Sequence, residues 1–90
     1  MDVVAGETWY CVDRVGERGF ALREATITRT FGSQVILAQD GISVQVDEAA
    51  LRLRYAPTPR DAWVAAECRE LAHLEAFWAA RGAWMEAQLG

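Results

Sequence analysis

Through the first half of the chain apolar and polar residues alternate with a period of two, and after Pro57-Thr58-Pro59 the period becomes helical. Thr8 to Arg14 is rich in β-favouring side chains and ends in the glycine-bearing turn Val15 to Gly19. Phe20 to Thr30 reads as the next strand, with Ala25, Ile27 and Arg29 on alternate positions and a slip near Arg23-Glu24 that predicts a bulge. Phe31 to Gln34 is a turn, and Val35 to Ala38, apolar on both faces, takes a central place. Asp40-Gly41 is a hairpin signal, because a type I′ turn needs positive φ at both central residues. Ile42, Val44 and Val46 then alternate with Ser43 and Gln45. Asp47 is placed to cap one helical turn. Beyond it Leu51, Leu53 and Tyr55 fall on one face and Arg52 and Arg54 on the other, which reads as a fifth strand.

The second half carries helix signals. Thr58 is a cap, Pro59 suits the first helical position, and Asp61 sits where the third residue of a capping box belongs. The helix is expected to run to about Ala80, with Gly82 weakening it by about 1 kcal/mol relative to alanine. Trp63, Val64, Leu71, Leu74, Phe77, Trp78 and Met85 cluster within an arc of about 140° on a helical wheel. The other side is lined by Ala62, Ala65, Ala72, Ala76, Ala79, Ala80 and Ala83. The expected core joins Leu51, Leu53, Val44, Val46, Ile27 and Leu37 to Leu71, Leu74 and Trp78 packed over them.

Five strands with a helical turn before the fifth resemble the small SH3-like barrel, over Val4 to Tyr55. The opening Gly6-Glu7-Thr8, followed by Tyr10 and Val12, is similar to barrel modules of the KOW type and to many short phage proteins. The resemblance implies an α+β fold, a five-stranded antiparallel SH3-like β-barrel followed by one long C-terminal α-helix. Residues 1–90 then form a single domain, with the barrel in 4–56 and the helix in 58–89.

Composition narrows the function. The chain has 90 residues, enough for one domain but not for a core and a deep substrate cleft together. Nine arginines, no lysine and thirteen acids give a net charge of −4 and a pI near 4.8. That balance disfavours a general nucleic-acid binder and suits a basic surface on another protein. No signal peptide is legible and no apolar run approaches the roughly 20 residues of a membrane span, so a cytoplasmic protein is expected. Cys11 and Cys68 then read as two buried free thiols.

No catalytic set is legible. Cys68 and the one histidine, His73, are five residues apart and point about 140° apart on a helix, so they form no nucleophile–base pair. His73 reads as a surface residue. Two cysteines and one histidine do not make a zinc set, and no phosphate-binding loop or GxSxG motif occurs. The expectation is therefore a non-enzyme without metal or cofactor. It docks on and modulates or inhibits a larger protein or ribonucleoprotein complex. In size, charge and composition it resembles phage and prophage accessory proteins, the anti-CRISPR and other anti-defence inhibitors among them.

The candidate partner-binding residues are Glu67, Glu70, Glu75 and Trp84, with Glu67 positioned to meet an arginine such as Arg52 or Arg54. An alternative is a nucleic-acid site on Arg23, Arg29, Arg52 and Arg54. A third reading is a homodimer through the alanine side, Ala65, Ala72, Ala76, Ala79 and Ala83, where a second helix can approach closely.

Overall fold

β-Branched and aromatic side chains at alternate positions build four strands in chain order, β1 (Thr8–Val15), β2 (Gly19–Phe31), β3 (Gln34–Gln39) and β4 (Ile42–Asp47). A computed structural model describes residues 3–16 and 19–89. Met1, Asp2, Gly90 and the turn residues Glu17 and Arg18 lie outside the described residues. The strands make one open antiparallel sheet in the order β1-β2-β3-β4. Gly32 at φ 58° turns β2 into β3, and Asp40 and Gly41, at φ 52° and 78°, form the type I′ turn between β3 and β4. Among the described residues three helices follow, α1 (Glu48–Arg54), α2 (Pro59–Arg69) and α3 (Leu74–Leu89), with a single 3₁₀ turn, Leu71–His73, between the last two.

The expected five-stranded barrel is not formed. Leu51 to Arg54, expected as the fifth strand, belong to α1, and among the described residues all that pairs beyond it is Ala56, joined to Tyr10 by two backbone hydrogen bonds of 2.8 Å. The sequence Glu-Ala-Ala-Leu-Arg-Leu-Arg consists of strong helix formers without a β-branched residue. Leu51 and Tyr55 share a side in either conformation, being four apart. Leu53 separates the two, and it is 74% exposed.

The single C-terminal helix is also divided. Thr58 Oγ1 accepts the Asp61 N–H at 3.2 Å and Pro59 opens α2. The helix stops at Glu70 (φ −107°, ψ 34°), well before Gly82, and α3 folds back along α2. The return is held by Phe77, whose ring meets Trp63 and Phe20 edge-on, both at 5.4 Å. Gly82 lies inside α3, and a Cβ there would meet nothing within 4 Å. Gly82→Ala is therefore expected to raise stability by about 1 kcal/mol, read as a higher denaturant midpoint.

The sheet is the middle layer. On one face Trp9, Cys11, Ala25, Ile27, Val35 and Leu37 bury Leu51 and Tyr55. On the other, Val12 packs with Ala56, Ala62, Trp63, Ala66 and Phe77, with Tyr10, Phe20 and Leu22 at the border. Ala62 and Ala66, fully buried, let α2 come close to β1. The expected core thus holds for Leu51, Ile27 and Leu37 only. Val46 and Leu74 are half-buried, and Val44, Leu53, Leu71 and Trp78 are exposed. The apolar arc is divided: Trp63 and Phe77 are buried with Ala62 and Ala66 against the sheet, whereas Val64, Leu71, Trp78 and Met85 of the same arc are exposed. The bulge sits near Thr28, where the β2–β3 register shifts between Ile27 and Arg29, and not at Arg23-Glu24.

Candidate functional site

The chemistry-bearing side chains of the sheet gather around Cys11 and Asp13, inward-facing neighbours on β1. The Cys11 thiol lies 3.7 Å from Asp13 Oδ2 and 3.6 Å from Gln39 Nε2, and the Tyr55 hydroxyl donates to Gln39 Oε1 at 2.9 Å. Arg54 reaches Asp13 Oδ1 at 2.8 Å and Arg23 Nε lies 3.7 Å from Asp13 Oδ2, while Arg23 also bonds Asp40 at 2.9 Å. Burial pushes the Cys11 thiol up from its ordinary value, with Gln39 pulling it back and Asp13 adding to the rise. The hydrogen bond to Asp13 raises Arg54, which stays charged. Burial, then the neighbouring Cys11, pushes the Tyr55 hydroxyl up to about 12. A buried thiol held protonated is a poor nucleophile, and the nearby carboxylate is shared by two guanidinium groups. The cluster ties the end of α1 to three strands.

Thiol and phenol both ionise less readily here than in the unfolded chain, so their ionisation favours unfolding. The contribution of these two groups is fully present below the ordinary thiol value of 9.0 and is lost as pH rises past it and on toward the Tyr55 value near 12. Denaturant midpoints at pH 8 and pH 11 are expected to differ less in Tyr55→Phe than in the unsubstituted protein. Equal pH losses in the two would show that Tyr55 is not the group responsible.

The four arginines expected as a nucleic-acid face are dispersed. Arg23 and Arg54 converge on Asp13. Arg52 bonds Glu48 at 3.0 Å one helical turn away and lies over the Trp9 ring at 5.6 Å. The bulge near Thr28 places Arg29 opposite Ile36, on the other face of the sheet from Arg23, where it stacks on Phe31 at 5.6 Å. Three of the four charges are thus met by carboxylates.

Of the residues expected to meet a partner, Glu67 turns inward, along the seam between α2 and α3. It accepts from Trp78 Nε1 at 3.0 Å and from Arg81 at 3.1 Å, not from Arg52 or Arg54, because the helix break brings α3 against it. Glu70 caps the end of α2 and is half-buried, Glu75 is exposed, and Trp84 is half-buried against Trp63 at 6.1 Å. The alanines expected as a dimer stripe are split between two helices. Ala65 is on α2, Ala72 in the 3₁₀ turn, and Ala76, Ala79 and Ala83 on α3, so no single helical ridge carries them. Ala72, Ala76 and Ala79 instead line an open hollow of about 740 Å³ beside Phe20 and His73.

Of the outer side of the α2–α3 hairpin, sequence reasoning named Trp84 alone and missed the rest. Val64 is 55%, Trp78 46% and Met85 45% exposed. Trp63, Val64, Trp84 and Met85 line a hollow of about 220 Å³ between Arg60 and Arg81. All but Trp84 stand in the wide apolar arc. The signal was the width of that arc, more than one contact with the sheet can bury.

Cys68 is exposed and Cys11 buried, both as free thiols, so the expectation of two buried thiols holds for Cys11 alone. Position 68 turns away from the buried Ala62 and Ala66 of α2. Among the described residues no three of His, Cys, Asp and Glu are placed to hold a metal ion, and no helix is long and apolar enough to cross a membrane. His73 is exposed, its N–H bonded to the Glu70 carbonyl. No protein-family model matches the chain, and no curated protein or solved structure is significantly similar to it.

Proposed function

We propose that this chain is a non-enzymatic binding module of the cytoplasm. It docks through the outer face of its α2–α3 hairpin on a larger protein or ribonucleoprotein complex and modulates or inhibits it. The observation that carries the reading is the exposure of Val64 and Met85 on adjacent helices around one apolar hollow, with the exposed Trp78 beside them on α3. Tryptophan and arginine are the side chains that most often anchor protein interfaces, and Arg60 and Arg81 flank this hollow. The acids Glu75 and Glu86 of α3 and the net charge of −4 favour a partner with a basic rim around an apolar centre. Inhibition of a host defence complex suits the resemblance in size, charge and composition to anti-defence inhibitors.

Val64→Glu combined with Met85→Glu replaces two exposed side chains and is expected to leave folding intact. Capture from a lysate of the native host, followed by quantitative mass spectrometry, is expected to enrich one defined complex on the unsubstituted protein. The double variant is expected to lose at least tenfold of that enrichment. Equal enrichment on both proteins would remove the docking face. A mobility shift with nucleic acid at low salt, abolished by Arg29→Ala, would favour the nucleic-acid reading instead.

A further inference from the structure

The two edges of the sheet differ. On the β1 edge, Ala56 exchanges two hydrogen bonds with Tyr10. The β4 edge has no such cover among the described residues. Its ladder follows from the type I′ turn, which makes Gln39 and Ile42 a hydrogen-bonded pair. Bonding to β3 then falls to Ile42, Val44 and Val46, and the N–H and C=O groups of Ser43 and Gln45, with the N–H of Asp47, point away from the sheet. Natural edge strands are guarded by lysine, proline, bulges or inward charges. The sequence Ile-Ser-Val-Gln-Val-Asp has none of these before its last residue, its register with β3 is unbroken, and Ile42 and Val44 are 64% and 43% exposed.

We propose that β4 pairs antiparallel with β4 of a second copy, about a two-fold axis at Val44, to give one continuous eight-stranded sheet. The strand is complementary to itself in that register. Val44 meets Val44 of the other copy, Ile42 meets Val46, and Ser43 meets Gln45, so apolar side chains face apolar ones on one side and uncharged polar ones on the other. No like charges are opposed, since Asp47 falls opposite Gly41. Ser43 and Gln45 exchange backbone bonds with each other across the axis. Moving the axis to Gln45 would set Ile42 against Glu48, which is already helical, and Ser43 against Asp47, whose carbonyl belongs to α1 as its N-cap. A pair of six-residue strands covers less than the roughly 1,200 Å² of a standard interface, so association in the range of tens to hundreds of micromolar is expected. This contact leaves the α2–α3 face open, and it stands or falls independently of the docking function.

Sedimentation equilibrium from 10 µM to 1 mM tests the pairing, concentrations chosen to bracket that range. The apparent mass is expected to rise from 10.0 kDa toward twice that value. Ser43→Pro removes an N–H that the β3 ladder does not use, and proline is accommodated at such an edge position. It is expected to keep the circular dichroism spectrum and weaken association at least tenfold. In a Cys68→Ser background, which removes the exposed native thiol, Val44→Cys sits in a closely spaced non-hydrogen-bonded pair and is expected to form a disulfide dimer under mild oxidation. Ser43→Cys is expected not to. A monomer mass at 1 mM overturns the proposal. So does cross-linking of both cysteine variants to the same extent, or a dimer insensitive to Ser43→Pro and broken by Ala72→Glu with Ala79→Glu.

Discussion

Phe77→Ala is expected to cost about 3–5 kcal/mol, the range for truncating a buried aromatic ring. The side chain is fully buried and makes edge-on contacts with Trp63 on α2 and Phe20 on β2. It is the one buried residue of α3, and Trp84, the next large contact of that helix, is only half-buried. The loss is a large part of the total, because a domain of this length has roughly 5–13 kcal/mol of stability. Chemical denaturation followed by tryptophan fluorescence checks the value, with Trp63 as the reporter nearest the cavity. Hydrogen exchange locates it. Amides of α2 and α3 are expected to lose protection before those of β3, since Trp9, Ile27, Leu37 and Leu51 pack on the opposite face of the sheet. A change below about 1 kcal/mol would mean that α3 does not rest on α2 and β2 through this ring.

Leu51→Ala is expected to cost about 2–5 kcal/mol, and Leu53→Ala no more than about 0.5 kcal/mol. The pair distinguishes a helix from a strand at this point in the chain. In a strand the two leucines, two residues apart, share one face and are buried together. In α1 they lie about 200° apart, so that Leu51 enters the core and Leu53 faces water. Leu51 is the single buried residue of α1, and its loss also loosens Tyr55 and the cluster around Cys11 and Asp13. Comparable losses in both variants would restore the fifth strand.

Much of the first half was legible in the residues themselves. Alternation at Ile42, Val44 and Val46 located β4, and Asp40-Gly41 marked its hairpin, because turn chemistry acts over two to four residues and needs no distant partner. Thr58 and Pro59 marked the start of α2 for the same reason: a cap is a local hydrogen bond. The register of β2 was not legible beyond Ile27, since the bulge near Thr28 answers to the pairing with β3 and leaves no composition signal. That one residue sends Arg29 to the opposite face from Arg23 and dissolves the basic surface that the spacing suggested.

Sequence alone determined the four strands, the type I′ turn at Asp40-Gly41 and the start of α2 at Thr58-Pro59, all of which rest on local signals. The net charge of −4, carried by nine arginines and thirteen acids without a lysine, is a property of composition alone. Tertiary structure decided which apolar residues are core and which are surface. Leu51, Leu53, Trp63, Val64, Phe77 and Trp78 are all large and apolar; the helical form of α1 separates the first two into buried and exposed, and the break at Glu70 with the close seating of Ala62 and Ala66 on β1 separates the rest. Burial depends on what lies opposite each side chain in space, and a neighbour 14 residues away, such as Arg81 to Glu67, has no trace in local periodicity.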